Sequence, residues 1–304
     1  MKKYKLSIPP LNLSDFKSNT KLLKNTAILF FILSLWFFQG PNIYCQPNSM
    51  RFKNVSSENE LLSQTVLCMV QDSKGYMWFG TLEGLHKYDG YKYTYYRHDP
   101  ADSSGISSNY IYDLYTDRSG NLYIGTLKGV DIYNYEKDNF SHIDINGPKN
   151  KRLSNNIVRS FHEDKQGTLW IATLGGGINR YNRETEQITH YVNDPDNINS
   201  LSNNNVFSLY EDKEGILWIT TRGGLSKFDE SSEQFYNYKL NFPLTNPFLG
   251  NLIRTVYEDH DGILWIGSYQ DGLFKFDKNK ETFIKFLDKT TGENFFKGKI
   301  TGRA

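Results

Sequence analysis

Short apolar runs and polar turns alternate along this chain with a beat close to 47 residues. Residues 157–163 (Ile-Val-Arg-Ser-Phe-His-Glu) read as a first strand, and Asp164-Lys-Gln-Gly167 turns it back. Asp at the first turn position and Gly at the fourth are type I preferences: the carboxylate caps backbone amides and Gly accepts positive φ. Residues 169–173 (Leu-Trp-Ile-Ala-Thr) form a second strand, Gly175-Gly-Gly177 turns again, and 178–182 and 187–192 supply a third and a fourth. A polar stretch, 193–204, leads into the next copy.

The same order of elements recurs five times. Its turn begins at Asp72, Asp117, Asp164, Asp212 and Asp259, with Gly at Gly75, Gly120, Gly167, Gly215 and Gly262. An aromatic follows at Trp78, Tyr123, Trp170, Trp218 and Trp265. Four antiparallel strands per period predict an all-β fold, a β-propeller, with blades at about 65–97, 110–145, 157–192, 205–239 and 253–286. A single blade cannot bury both its faces, so the five aromatics are expected to fill the seams between blades.

Strand types do not balance. Five first strands stand against six fourth strands if 51–55 (Arg-Phe-Lys-Asn-Val) is counted as a strand that closes the last blade. The expectation is five repeats of a larger, seven-bladed propeller within 46–290, followed by a truncated linker at 291–304. The alternative is that five blades close and 51–55 pads an edge.

Ahead of the repeats, Lys21 and Lys24 precede an apolar run at 27–38, which Gln39-Gly40-Pro41 stops. Its 12 residues suit a signal-peptide core and fall short of the roughly 20 needed to span a bilayer. Residues 1–45 are therefore expected to be an export signal or a retained N-terminal anchor, placing the body in the periplasm. Those residues hold six Lys and one acid, which leaves the remainder at net −4. A mildly acidic body gives no footprint for nucleic acid. Cys45 and Cys68 lack metal-ligand spacing, and His86, His98, His142, His162, His190 and His260 are scattered, so no cofactor or metal is expected.

Residues 204–229 (Asn-Asn-Val-Phe-Ser-Leu-Tyr-Glu-Asp-Lys-Glu-Gly-Ile-Leu-Trp-Ile-Thr-Thr-Arg-Gly-Gly-Leu-Ser-Lys-Phe-Asp) carry a pattern that resembles the two-component regulator propeller repeat. Residues 73–90 and the linker 193–203 share it, and the resemblance covers about 51–290. It implies the periplasmic sensor module of a hybrid two-component system of Bacteroidetes type. Such proteins usually continue into a second propeller, an immunoglobulin-like domain, a membrane helix, a histidine kinase, a receiver and a DNA-binding domain, and many respond to oligosaccharides. This sequence contains no kinase phosphoacceptor or nucleotide-binding motif, so no enzymatic activity is expected of it. The kinase and response-regulator functions are expected in missing sequence or a partner, and a homodimer through the propeller is a further expectation.

Positions that differ among the copies are freer to carry function. The turn between second and third strands is one such place, and its Glu83, Lys128, Arg222, Tyr269 and Gln270 are the candidate ligand contacts. A stand-alone secreted scaffold and a propeller glycosidase or lyase remain the alternatives. A glycosidase needs a carboxylate pair across a cleft, whereas the acids here mostly recur at turn positions.

Overall fold

A computed structural model describes residues 63, 65–242 and 251–286. All lie in the second of two units, Met1–Asn54 and Val55–Ala304. The apolar run at 27–38, the segment 51–55 and the stretch 291–304 fall outside the described residues.

Twenty strands and, among the described residues, no helix build five four-stranded antiparallel sheets, each in simple up-and-down order. The first strands are Val66–Gln71, Ile111–Thr116, Val158–Glu163, Val206–Glu211 and Ile253–Glu258. The second strands are Met77–Thr81, Leu122–Thr126, Leu169–Thr173, Leu217–Thr221 and Leu264–Ser268. The third are Leu85–Tyr88, Val130–Asn134, Gly177–Asn182, Gly224–Asp229 and Leu273–Asp277. The fourth are Tyr93–Tyr96, Asn139–Ile143, Gln187–Tyr191, Gln234–Tyr238 and Thr282–Lys285. The sheets are the blades of a β-propeller, numbered 1 to 5 along the chain. First strands of successive blades pack side by side, and no comparable packing joins blade 5 back to blade 1 among the described residues.

The apolar core lies between blades, in four clusters at the four seams. One first-strand position shows what a preceding blade does. Leu114, Phe161, Leu209 and Val256 are buried, whereas Met69 at the same register in blade 1 is 66% exposed. At three of the four seams the second-strand Trp meets an aromatic of its own fourth strand and one of the next blade's third strand. Trp78 packs on Tyr96 and Tyr133, Trp170 on Tyr191 and Phe228, and Trp218 on Tyr238 and Phe276.

The repeated Asp does more than turn the chain. One carboxylate oxygen, Oδ1, accepts from backbone amides within its own turn, as Asp212 does from Glu214 and Ile216 at 3.0 and 2.9 Å. The other, Oδ2, accepts from the indole Nε1 six residues on: Trp78, Trp170, Trp218 and Trp265 donate to Asp72, Asp164, Asp212 and Asp259 at 2.7–2.8 Å. Blade 2 has Tyr123 at that position, and there Asn121 Nδ2 donates to Asp117 Oδ2 instead, at 2.9 Å. The turn Gly residues all take positive φ, between 79° and 87°.

At three seams the same Oδ2 also receives a group from the next blade. Tyr135 Oη donates to Asp72 at 2.9 Å. Arg183 bridges Asp117 and Glu163, and Lys278 Nζ bridges Asp212 and Glu258 at 2.8 and 2.9 Å. A second set of ties runs forward. Lys165 Nζ donates to the Asp212 and Lys213 carbonyls, and Lys213 Nζ to those of Asp259 and His260. Local turn, own blade and neighbouring blade thus converge on one buried carboxylate.

Trp170→Phe keeps the ring but removes the donor, leaving Asp164 Oδ2 unpaired in a buried seam. It is expected to cost about 1–3 kcal/mol in urea unfolding, and wild-type stability in this variant would refute the indole tie. A second expectation concerns acid. Burial pushes the Asp117 and Asp212 carboxyls up, but hydrogen bonds from Asn121 and Arg183, and from Lys278 and Trp218, outweigh it and hold both below the ordinary 3.8. Their contribution is therefore complete above pH 3.8 and is lost as pH falls through the depressed folded values. The unfolding midpoint should drop steeply below that point, and Asp117→Asn should flatten the drop; an unchanged acid limb in this variant would refute the assignment.

Candidate functional site

Antiparallel order puts the Asp turns and the third-to-fourth-strand hairpins at one end of every blade. The second-to-third-strand turns and the interblade linkers lie at the other. These loops are built on a buried hydroxyl. Thr81, Thr126, Thr173 and Thr221 donate through Oγ1 to the carbonyls of Gly84, Gly129, Gly177 and Gly224. The same oxygen accepts the backbone N–H of Glu83, Lys128 and Gly223. Gly224 has φ +132°, and a Cβ there would lie 2.2 Å from the Tyr238 carbonyl, so the turn admits only glycine. Linkers are pinned to the same end. Asp131 Oδ2, Asn179 Oδ1 and Ser226 Oγ accept the amides of Ser107, Ser154 and Ser202.

The five sequence-selected residues stand on this loop end, four of them with local partners. Glu83 pairs with Arg97 at 3.8 Å, and Lys128 Nζ lies 3.2 Å from His98 Nε2. Arg222 is exposed, its amide held by the Asn205 carbonyl. Tyr269 is half-buried with the Arg254 guanidinium 5.8 Å from its ring. Gln270 Oε1 is buried without a hydrogen-bond partner among the described residues.

Sequence reading missed a second set on the same end. Every first strand carries a β-bulge at its second residue, shown by register shifts across Leu67, Tyr112, Arg159, Phe207 and Arg254. Bulges re-aim side chains. Here they stack guanidinium groups on rings across seams, Arg159 over Tyr112 at 4.1 Å and Arg254 over Phe207 at 4.9 Å. With Tyr269 and Tyr110, which packs on Tyr112, this makes an aromatic and basic strip beside the loops. No sequence signal marks a bulge, but aligning the copies shows Arg or aromatic side chains at four of these five positions.

Two clefts lie at the opposite end. One of about 460 Å³ includes Asp164, Trp170, Glu211, Phe228, Glu230 and Tyr236 in its lining. Another, of about 840 Å³, includes Arg118, Glu163, Lys165, Arg180 and Arg183. None of the five loop candidates lines either of them. Among the described residues no group of three or more His, Cys, Asp or Glu side chains is placed to hold a metal ion.

Comparison with known proteins agrees with this geometry. The two component regulator propeller repeat matches at residues 60–83, 105–128, 152–175, 200–223 and 247–270, once per blade. The extracellular domain of the hybrid two component system BT3049 of B. thetaiotaomicron superposes with a TM-score of 0.65 at 30% identity. That match covers 77% of this chain and 31% of the other. A stretch of 77 residues, 25% of this chain, is 34% identical to Histidine kinase P4 of Formosa agariphila. The chain thus spans 6% of that kinase's length. Virginiamycin B lyase of Staphylococcus aureus shares the fold alone, with a TM-score of 0.55 at 15% identity, over 78% of this chain and 74% of the lyase. Five matched segments, each opening a blade and ending in its loop, place this chain in the two component regulator propeller family.

Proposed function

We propose that this chain is the sensory propeller module of a hybrid two-component signalling protein. It faces the periplasm or the cell exterior and passes its signal to a histidine kinase and response regulator in the rest of a longer protein or in a partner. The observation that carries this reading is the full set of five family repeats together with the similarity to an extracellular sensor domain. Residues 1–45 act in this reading as export signal or tether, and pairing of two propellers is the means of reporting occupancy.

The ligand is an oligosaccharide-type signal bound at the loop end. Glu83, Lys128, Arg222, Tyr269 and Gln270 contact it from the turns, and the bulged Tyr112, Arg159, Phe207 and Arg254 contact it from the first strands. The chemistry supports a sugar: flat rings stack on pyranose faces, and guanidinium and amide groups hydrogen-bond to hydroxyls. A hydrolytic reading has less support, because the recurring Asp residues are engaged in turns and seams.

The test is thermal unfolding of the chain against partial hydrolysates of neutral and acidic polysaccharides. A hydrolysate that stabilises wild type should lose its effect on the Arg222→Ala/Tyr269→Ala double variant, both of whose positions are exposed or half-buried. Full stabilisation of the double variant would remove the ligand from this end. Product release from any hydrolysate would favour an enzyme instead.

A further inference from the structure

The seam between blades 3 and 4 departs from its neighbours in one respect. At seams 2/3 and 4/5 the Asp of the earlier blade and the Glu that ends the later blade's first strand share a basic side chain. Arg183 joins Asp117 to Glu163, and Lys278 joins Asp212 to Glu258. At seam 3/4 the two acids are retained as Asp164 and Glu211, but the residue at the position of Arg183 and Lys278 is Glu230. A carboxylate has replaced the cation.

Glu211 keeps the posture of its counterparts. Each of these acids holds its Oε1 over the Gly of its own blade's Asp turn. A Cβ on Gly215 would lie 3.5 Å from Glu211 Oε1; the matching distances are 3.9 Å at Gly167 to Glu163 and 3.7 Å at Gly262 to Glu258. In the sister seams that oxygen is the one that Arg183 and Lys278 bind. Glu211 Oε1 has no donor among the described residues, although its side chain is 94% buried and lines the cleft. Its Oε2 lies 3.3 Å from His162 Nε2, and burial lowers the His162 pKa, so that ring does not supply the missing charge at neutral pH. Among the described residues the Asp164 carboxylate accepts only from its own blade, at Thr168 N and Trp170 Nε1.

The basic groups nearby are engaged elsewhere. Arg180 pairs with Glu230 and Glu233 at 3.3 and 3.4 Å, Lys165 Nζ is bound to the Asp212 and Lys213 carbonyls, and Lys227 Nζ lies over the Tyr236 ring. A cleft of about 460 Å³ opens at these acids, with Trp170, Phe228 and Tyr236 in its walls. It is large enough for a small molecule, and aromatic walls favour a positive charge.

We propose that this cleft binds a small organic cation, a primary amine or a guanidine, whose charged head takes the place that Arg183 and Lys278 occupy in the sister seams. The site lies at the opposite end of the blades from the loops and does not rest on the sensory reading.

Titration of the full chain with n-butylammonium and with ethylguanidinium, against sodium chloride of equal ionic strength, tests it. Either organic cation should raise the unfolding temperature saturably, by about 2–4 °C, and sodium should not. Glu211→Gln should weaken the binding at least about tenfold, as expected when a charged partner is removed. Glu230→Lys should raise the unfolding temperature without amine and abolish the increment, because it supplies the cation internally. Saturable binding that Glu211→Gln weakens sustains the proposal even if Glu230→Lys fails to fold. No saturable stabilisation of wild type, or binding that Glu211→Gln leaves unchanged, overturns it.

Discussion

An ionised carboxylate buried between two sheets must be fully bonded or it destabilises the fold. This molecule places one such group at every described seam. Asp72, Asp117, Asp164 and Asp212 are at most 7% exposed, and each is bonded within its own turn and to a side chain six residues beyond the Asp, or four in blade 2. Three of the four also hold a side chain of the next blade. One residue therefore couples turn geometry, blade packing and blade-to-blade register. The spacing from Asp to Gly to aromatic cannot drift between copies because all three sit on that carboxylate or beside it.

This is why so much of the fold was legible. Strand order, turn type and aromatic burial follow from local preferences that repeat, and repetition makes weak local signals strong. The bond from Asp to the indole was also written in the chain. Where Tyr123 replaces Trp, and only there, Asn121 appears two residues earlier and supplies the N–H that the phenol ring cannot. Reading Asp as a turn residue alone overlooked that substitution.

The seam bridges were not legible, for the opposite reason. Their position reads Tyr135, Arg183, Glu230 and Lys278, so an aligned consensus shows nothing there. Residues vary among the copies at the turn end as much as at the loop end. The bulges were hidden differently: an extra residue in a first strand leaves the blade length unchanged, and only register shows it. The bulges nonetheless decide which side chains, Arg159 and Arg254 among them, stand beside the loops.

The two ends of the blades vary together at two seams. Seams 2/3 and 4/5 carry a buried bridge at the turn end and an arginine–aromatic stack at the bulge end. Seam 3/4 keeps its aromatic packing, the Lys165 tie and the Arg180 ion pairs, but its two buried acids have no bridging side chain. Seam 3/4 is tied across its blades by His162, Lys165, Arg180 and Tyr191 instead. A ligand shifts a conformational equilibrium only by the difference in its affinity for the two states. The bridging position of seam 3/4, where Glu230 stands in place of a cation, is therefore the place where a bound cation would add a contact that the sister seams already hold.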